Sequence, residues 1–431
     1  MKIVKNNQLF TDNTSEIDSD AIFVVSKNNE KYLEQAKEKT PKAIIKDSEL
    51  KNYFDFSTLK VIGITGTNGK TTTAGAIYSF LLDLGFKVAL LGTRGLFMNG
   101  EKIRDYSFTT PFQIEMFANL ELALEHGCEY FVTEVSSHAI AQNRICGVDF
   151  ALKIHTNITG DHLDYHKTMQ EYIDVKNSFF ADDTPKLINK DDKNVKFKMK
   201  NAYSYGLDNP ATYKVQAFTF KDGTNVVVQY FGELFTFTSD LRGTFNVYNL
   251  TAALGAVHIL TGVELAKICE VVENFAGVSG RMETISFDPY VIVDFAHTPD
   301  GMRAIFESFR DKNIITVFGA GGDRDKLKRP LMGAMADEYA QFIFLTSDNP
   351  RTEDPDVIND EILAGIKNRS KTTVELNRKL AIQMAIQKAK ETSNSAVLVL
   401  GKGDEEYQIV YDKKFPFSDK KVITEILEQL S

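Results

Sequence analysis

The chain has 431 residues, of which 43% are hydrophobic and 25% charged, with a net charge of -9 and a pI near 5.5. That length asks for about two or three domains, and the acidic balance argues against a broad surface for nucleic-acid phosphates while leaving room for a local basic pocket. Cys128, Cys146 and Cys269 form no CxxC pair, the N-terminus lacks the apolar run of a signal peptide, and no stretch reaches the ~18 apolar residues of a membrane span; a reducing, cytoplasmic setting without membrane insertion is expected.

The predicted elements follow in chain order. Residues 1–57 read as a short α/β unit. A buried strand is predicted over 59–64, then a glycine-rich loop and a helix over 72–84, where Ile77, Phe80, Leu81 and Leu84 share one face. Further apolar runs fall at 87–91 and 130–135. Residues 213–241 read as antiparallel hairpins turning at Asp222-Gly223 and Gly232-Glu233. Later runs lie at 290–295, 314–318, 342–345 and 396–400. Most are apolar on both faces, as parallel strands covered by helices are. The alternation implies doubly wound α/β sheets. Three blocks result: 1–57, 58–288 and 289–431, the last boundary falling near Phe287-Asp288-Pro289.

The first chemistry lies at 64–73. A strict phosphate-loop pattern fails at Ile64, but Gly66, Thr67, Asn68, Gly69, Lys70, Thr71 and Thr72 keep its working parts. Gly66 and Gly69 permit backbone turns that aim N–H groups at a phosphate. The helix start adds its dipole and orphan donors. Lys70 supplies a charge for the outer phosphates of ATP, and the Thr71 hydroxyl suits Mg²⁺. At the end of the 130–135 run, Glu134 is either a magnesium carboxylate or a buried, paired glutamate. Four of the seven histidines fall between 138 and 166. His162 and His166 are spaced for zinc but lack an HExxH pattern or a cysteine partner. Lys176, by itself, reads as a solvated helix lysine.

Together these segments resemble the Mur ligases of peptidoglycan synthesis. The resemblance runs from about residue 59 to the C-terminus. It is carried by the loop at 65–72, by Glu134 to His138, and by Asn157 with the 161–166 segment. Gly243 to Asn249, Gly280 to Glu283, Asp294 to Pro299, Gly319 to Lys326, Asp348 to Arg351 and Gly401 to Gly403 follow in family order. It implies a three-domain architecture: a UDP-substrate domain, a central P-loop ATPase-like parallel sheet, and a C-terminal Rossmann-like domain with the amino-acid site.

Within the family, the chain is similar to the branch that adds the third peptide residue. The implied partners are UDP-N-acetylmuramoyl-L-alanyl-D-glutamate and meso-2,6-diaminopimelate, with ATP and Mg²⁺ and a monomeric protein. Thr109, Thr110, Ser136, Gln142 and Arg144 match contacts to the muramoyl-peptide. Lys176 matches a lysine carbamylated by CO₂, which joins Glu134, His162 and Thr71 around the metal. Asn246, Asn249, Arg281 and Asp294 match positions near the adenosine and its phosphates. Asp348, Asn349, Pro350 and Arg351 match the diaminopimelate tetrapeptide, with Arg324, Gly401 and Glu405 completing the pocket. Arg351 offers a planar fork for a distal carboxylate, which lysine lacks. Alternatives are a lysine-adding relative, a folylpolyglutamate-type ligase, or, in another class, a P-loop ATPase or regulator that makes no bond. Two departures stand out. The uridine motif is only echoed at Asp12-Asn13-Thr14, and Asp404 occupies a position where the family carries histidine.

Overall fold

The computed structural model describes residues 2–105, 108–221 and 223–430. Among these, the short apolar runs pair into sheets of four, eleven, six and two strands. The four-stranded sheet uses Lys2–Lys5, Gln8–Thr11, Ile22–Val25 and Ala43–Lys46 in that order. It shares a core with the next unit. Phe10 and Phe117 both pack on Phe54, with ring centroids 5.4 and 5.3 Å away.

At the centre of the eleven-stranded sheet lie Phe150–His155, Lys60–Thr65, Tyr130–Glu134 and Val88–Gly92, side by side and parallel. Lys60–Thr65 comes first in the chain, yet later strands flank it on both sides. That makes its carboxyl end a topological switch point, where crevices of open parallel sheets form. Register aligns the ends: Thr65 pairs with His155, and Ile64 with Glu134. The helices Lys70–Asp83 and Thr244–Thr261 cover this sheet, burying Ile77, Phe80, Leu81, Leu250, Leu254 and Val257. Leu84 ends the first helix and is only partly buried. Each such fully buried side chain contributes about 1.5–3 kcal/mol.

The predicted hairpins are present as Tyr213–Thr219, Thr224–Tyr230 and Glu233–Ser239, all antiparallel. Asp222, part of the first predicted turn, lies outside the described residues. At the second turn, Gly232 has φ +92°.

The six-stranded sheet runs Glu283–Phe287, Tyr290–Asp294, Ser395–Leu400, Asn313–Phe318, Phe342–Leu345 and Thr372–Val374. Only the first strand is antiparallel. The sheet therefore begins at Glu283, ahead of the boundary expected near 288. Asp288-Pro289 is the turn of a hairpin, so the proline marks a bend inside the sheet. Among the described residues, no helix is long and apolar enough to cross a membrane.

Candidate active site

The chain leaves Lys60–Thr65 at Gly66 and enters the helix Lys70–Asp83 after Gly69. Gly69 has φ +86°, and a Cβ there would lie 2.4 Å from Asn249 Oδ1. A Cβ on Gly66 would lie 1.8 Å from Thr156 Oγ1. Both glycines are thus required by packing as well as by the turn, while Ile64 is a buried strand residue. No side chain caps the helix start, so its first N–H groups stay available to an anion. Thr71 and Thr72 lie buried in this first turn.

Asn157 fixes the loop's shape. Its carbonyl accepts from Thr67 N at 2.7 Å, while its side-chain amide exchanges hydrogen bonds of 3.0 Å with both the N–H and the C=O of Asn68. Thr67 Oγ1 meets Tyr172 Oη at 3.0 Å. From the other side, Asn249 Oδ1 accepts from Thr73 Oγ1 at 3.4 Å, and Asn249 Nδ2 donates to Asn246 Oδ1 at 3.2 Å. Asn246 and Asn249 therefore brace the loop, both buried on Thr244–Thr261. Arg281 stacks 4.4 Å above the Phe295 ring. The Asp294 carboxylate accepts from Met282 N at 2.7 Å and Ala296 N at 2.6 Å. Burial pushes Asp294 above the ordinary carboxylate range, against the pull of Arg281.

Lys70 and Lys176 converge. Lys70 Nζ donates to the carbonyls of Gly66 and Thr67, each at 2.8 Å. Lys176, 1% exposed, donates to the same Gly66 oxygen at 2.8 Å. Burial lowers the proton affinity of both amines. For Lys176 the fall is large, and neighbouring Lys70 adds to it. This lysine is not the solvated helix residue its local sequence suggests.

The expected metal positions are each held by different partners. Glu134 is 2% exposed; its Oε2 accepts from Thr71 Oγ1 at 2.9 Å and its Oε1 from Thr93 N at 2.8 Å. Lys176 lies at the loop carbonyl. His162, half-buried with φ +55°, places Nε2 3.4 Å from Asp161 Oδ2. Asp161 also faces His297 across the crevice at 4.0 Å. Burial opposes charge on Asp161, but His297, His162 and Lys328 outweigh it and bring its pKa to about 2. Burial and Lys328 hold His297 at about 4.

The expected muramoyl-peptide contacts do come together. Thr110 Oγ1 donates to Glu134 O at 2.9 Å and accepts from Ser136 N at 3.0 Å. Thr109 Oγ1 lies 3.1 Å from Thr93 Oγ1. Arg144 donates to Thr110 O at 2.8 Å and to Gln142 Oε1 at 2.9 and 2.6 Å. Its guanidinium covers the Phe112 ring at 4.4 Å. By contrast, Asn13 is used locally, accepting from Ser15 N at 3.0 Å.

A second cluster sits at the carboxyl ends of the six-stranded sheet. Arg351 has φ +50° and donates to Gly322 O at 2.8 Å. Burial lowers its proton affinity, and the adjacent Arg324 lowers it further. Arg351 Nη1 and the Arg324 side chain both flank Gly321, and two cations side by side suit a carboxylate. The buried backbone of Pro350 packs so closely that a Cβ at Gly322 would lie 1.9 Å from its oxygen. Asp348 Oδ2 approaches Gly401, where a Cβ would lie 2.7 Å from it. Glu405 Oε2 accepts from Asn349 Nδ2 and from Lys402 Nζ, both at 2.8 Å.

Sequence reasoning assigned no role to three residues that organise these clusters: Asn157, Lys402 and Arg329. Lys402 is fully buried and also donates to Asn349 Oδ1 at 3.2 Å and Tyr407 O at 2.7 Å. Arg329, also fully buried, grips Glu353 with two bonds of 2.9 Å and Gly321 O at 3.0 Å. Asn157 and Lys402 stand inside recognisable motifs, and Arg329 follows one closely, but nothing local separates a bracing residue from a solvated one.

A glycine loop leading into an uncapped helix start suits nucleotide phosphates, and a second charged cluster at the C-terminal sheet suits another substrate, the two sites that an ATP-dependent ligase needs. Residues 64–257 match the Mur ligase middle domain, and residues 280–403 match the Mur ligase glutamate ligase domain. Proteins named UDP-N-acetylmuramoyl-L-alanyl-D-glutamate–2,6-diaminopimelate ligase are close relatives. The one from Wolinella succinogenes is 48% identical over 98% of this chain and 97% of its own length. The Helicobacter pylori protein is 49% identical over 96% and 94%. A solved structure of a ligase of the same name superposes with a TM-score of 0.68 at 28% identity, covering 98% of this chain and 94% of the other. The chain belongs to the Mur ligase family, with that family's three-domain architecture.

Proposed function

We propose that this protein is an ATP-dependent ligase that adds meso-2,6-diaminopimelate to UDP-N-acetylmuramoyl-L-alanyl-D-glutamate during peptidoglycan precursor synthesis. The relatives that carry this name align over nearly the whole chain. The observation that carries the choice of amino acid is Arg351 at Gly321 with Arg324 alongside, next to Asn349 and Glu405. A diamino acid with a second carboxylate gives the half-buried Arg351 and the exposed Arg324 an anion to pair with; lysine offers none.

The reaction has two steps. A D-glutamate γ-carboxylate oxygen attacks the γ-phosphorus of ATP, the bond to the bridging oxygen breaks, and ADP leaves. The amine of diaminopimelate then attacks the acyl-phosphate carbon, the C–O bond to phosphate breaks, and the amine loses a proton. Both steps depend on positioning and charge stabilisation. Thr109, Thr110, Ser136, Gln142 and Arg144 orient the muramoyl-peptide beside Glu134. The loop N–H groups and Lys70 hold the phosphates, with Lys70 exchanging its carbonyl bonds for phosphate oxygens. Asn246, Asn249, Arg281 and Asp294 border the nucleotide. Asp348, Asn349, Pro350, Arg351, Arg324, Gly401 and Glu405 hold the amino acid.

The family uses ATP with Mg²⁺, and a buried carboxylate bonded to a loop threonine hydroxyl fits that ion. Bound there, magnesium would neutralise charge on the phosphate oxygens. Thr71, Glu134, His162 and Lys176 would hold it. Lys176 serves as its carbamate: a buried amine of low proton affinity adds CO₂, losing a proton and turning a repelled cation into an anionic ligand. Residues 1–57 are assigned to the UDP moiety. Mass spectrometry of the product from ATP, the UDP-muramoyl-dipeptide and meso-diaminopimelate tests the reading. The expected product is heavier than the dipeptide by one diaminopimelyl residue; an unchanged dipeptide after ATP is consumed would overturn it.

A further inference from the structure

Arg94 and Asp404 face each other across the crevice. Arg94 follows the strand Val88–Gly92 of the central sheet, and Asp404 lies in the loop after Ser395–Leu400 of the C-terminal sheet. Arg94 Nε lies 3.1 Å from Asp404 Oδ2. Arg94 Nη1 also donates to Ser279 O at 2.6 Å. Ser279 belongs to the segment that carries the chain from one sheet to the other. One guanidinium therefore ties the central domain, the crossing segment and the C-terminal domain together. The loops touch closely here, since a Cβ on Gly280 would lie 2.2 Å from Asp404 N.

Each end of the pair adjoins a residue already placed at the site. Thr93 N donates to Glu134 Oε1 at 2.8 Å. Glu405 takes the Asn349 and Lys402 bonds described above. Both side chains keep partial exposure, 25% and 28%, so solvent screens their attraction. The third anchor, Ser279 O, is what gives the contact a fixed direction.

We propose that Arg94 and Asp404 are a positioning pair that holds the amino-acid pocket against the phosphate loop, keeping water from the acyl phosphate until the amine attacks. This rests on the ligase reading above. Loosening the pair leaves the phosphate loop's own hydrogen bonds intact but opens the crevice, so acyl phosphate is lost to hydrolysis.

The test measures phosphate released and amide formed in the same reaction, with ATP, the UDP-muramoyl-dipeptide and meso-diaminopimelate. The variants are Arg94→Gln, Asp404→Asn, their double, and Asp404→Glu. Wild type should release one phosphate per amide. Each neutral single variant should release several-fold more phosphate than amide and show a raised KM for diaminopimelate, with the KM for ATP within about twofold of wild type. The double variant should be no worse than the poorer single, and Asp404→Glu should recover most of the coupling. Rising KCl should also uncouple the unmodified enzyme, an outcome independent of how any variant folds. A ratio of one that resists both salt and substitution overturns the proposal, as do single effects that multiply in the double variant. Absence of amide in wild type would instead sink the ligase reading.

Discussion

Lys70 and Lys176 donate to one carbonyl oxygen, that of Gly66, each at 2.8 Å. The two amines lie some hundred positions apart in sequence yet share an acceptor at the mouth of the phosphate loop. Lys70 depresses the affinity of Lys176 for a proton, in addition to the larger effect of burial. The shared carbonyl thus links the lysine proposed to neutralise phosphate charge to the lysine proposed to become a carbamate.

Replacing Lys70 with alanine removes that phosphate charge while leaving the glycine turns in place. Turnover should fall at least ~10²-fold, as for loss of one preorganised donor to a developing charge. Steady-state kinetics check this; near-normal ligation would remove Lys70 from phosphoryl transfer.

The carbamate proposed at Lys176 should make activity depend on dissolved CO₂. Buffer stripped of CO₂ and bicarbonate should lower turnover, and added bicarbonate should restore it. Lys176→Arg, which cannot form the carbamate, should be inactive and indifferent to bicarbonate. Full activity in stripped buffer, with an unmodified lysine mass, would refute the carbamate.

Arg351→Met should raise the KM for diaminopimelate by roughly 10- to 100-fold, the worth of a lost charge-assisted hydrogen bond. It should leave the KM for ATP little changed. The discrimination against L-lysine should shrink by a similar factor, because the group that distinguishes the two is gone.

Lys402→Met leaves Glu405 and Asn349 without their buried partner. Glu405 retains some solvent contact, which softens the loss. A destabilisation of about 2–4 kcal/mol is expected, read by denaturant unfolding, together with a raised KM for diaminopimelate.

Acid should weaken the fold through its histidines. Burial and neighbouring cations hold His138 and His297 at about 4, against about 6.5 for a free imidazole. Between those values the unfolded chain binds more protons, so stability rises with pH across that window. Melting temperature should therefore fall steadily from pH 6.5 toward 4, and His297→Gln should flatten the slope. A melting curve unchanged across the window would contradict the neutral assignment.

The phosphate loop is legible in sequence because its chemistry is local: glycines, a lysine and a hydroxyl lie within one turn of each other. Lys176 and the Asp348–Arg351 tetrapeptide are not legible that way. Read by themselves, the first is a surface lysine and the second a turn; only the resemblance assigns them roles. The structure shows the physical reason, since both depend on partners brought by distant strands. Asn157, Lys402 and the Arg94–Asp404 contact escape sequence reasoning for the same cause. The start of the C-terminal sheet at Glu283 escapes because its first strand pairs with Tyr290–Asp294 across a turn that nothing local sets apart.

The most direct test of the central claim is phosphate release from ATP with each substrate omitted in turn. The account predicts release that requires both the UDP-muramoyl-dipeptide and meso-diaminopimelate, with L-lysine a poor substitute. Equal release with L-lysine, or release indifferent to both substrates, would contradict it.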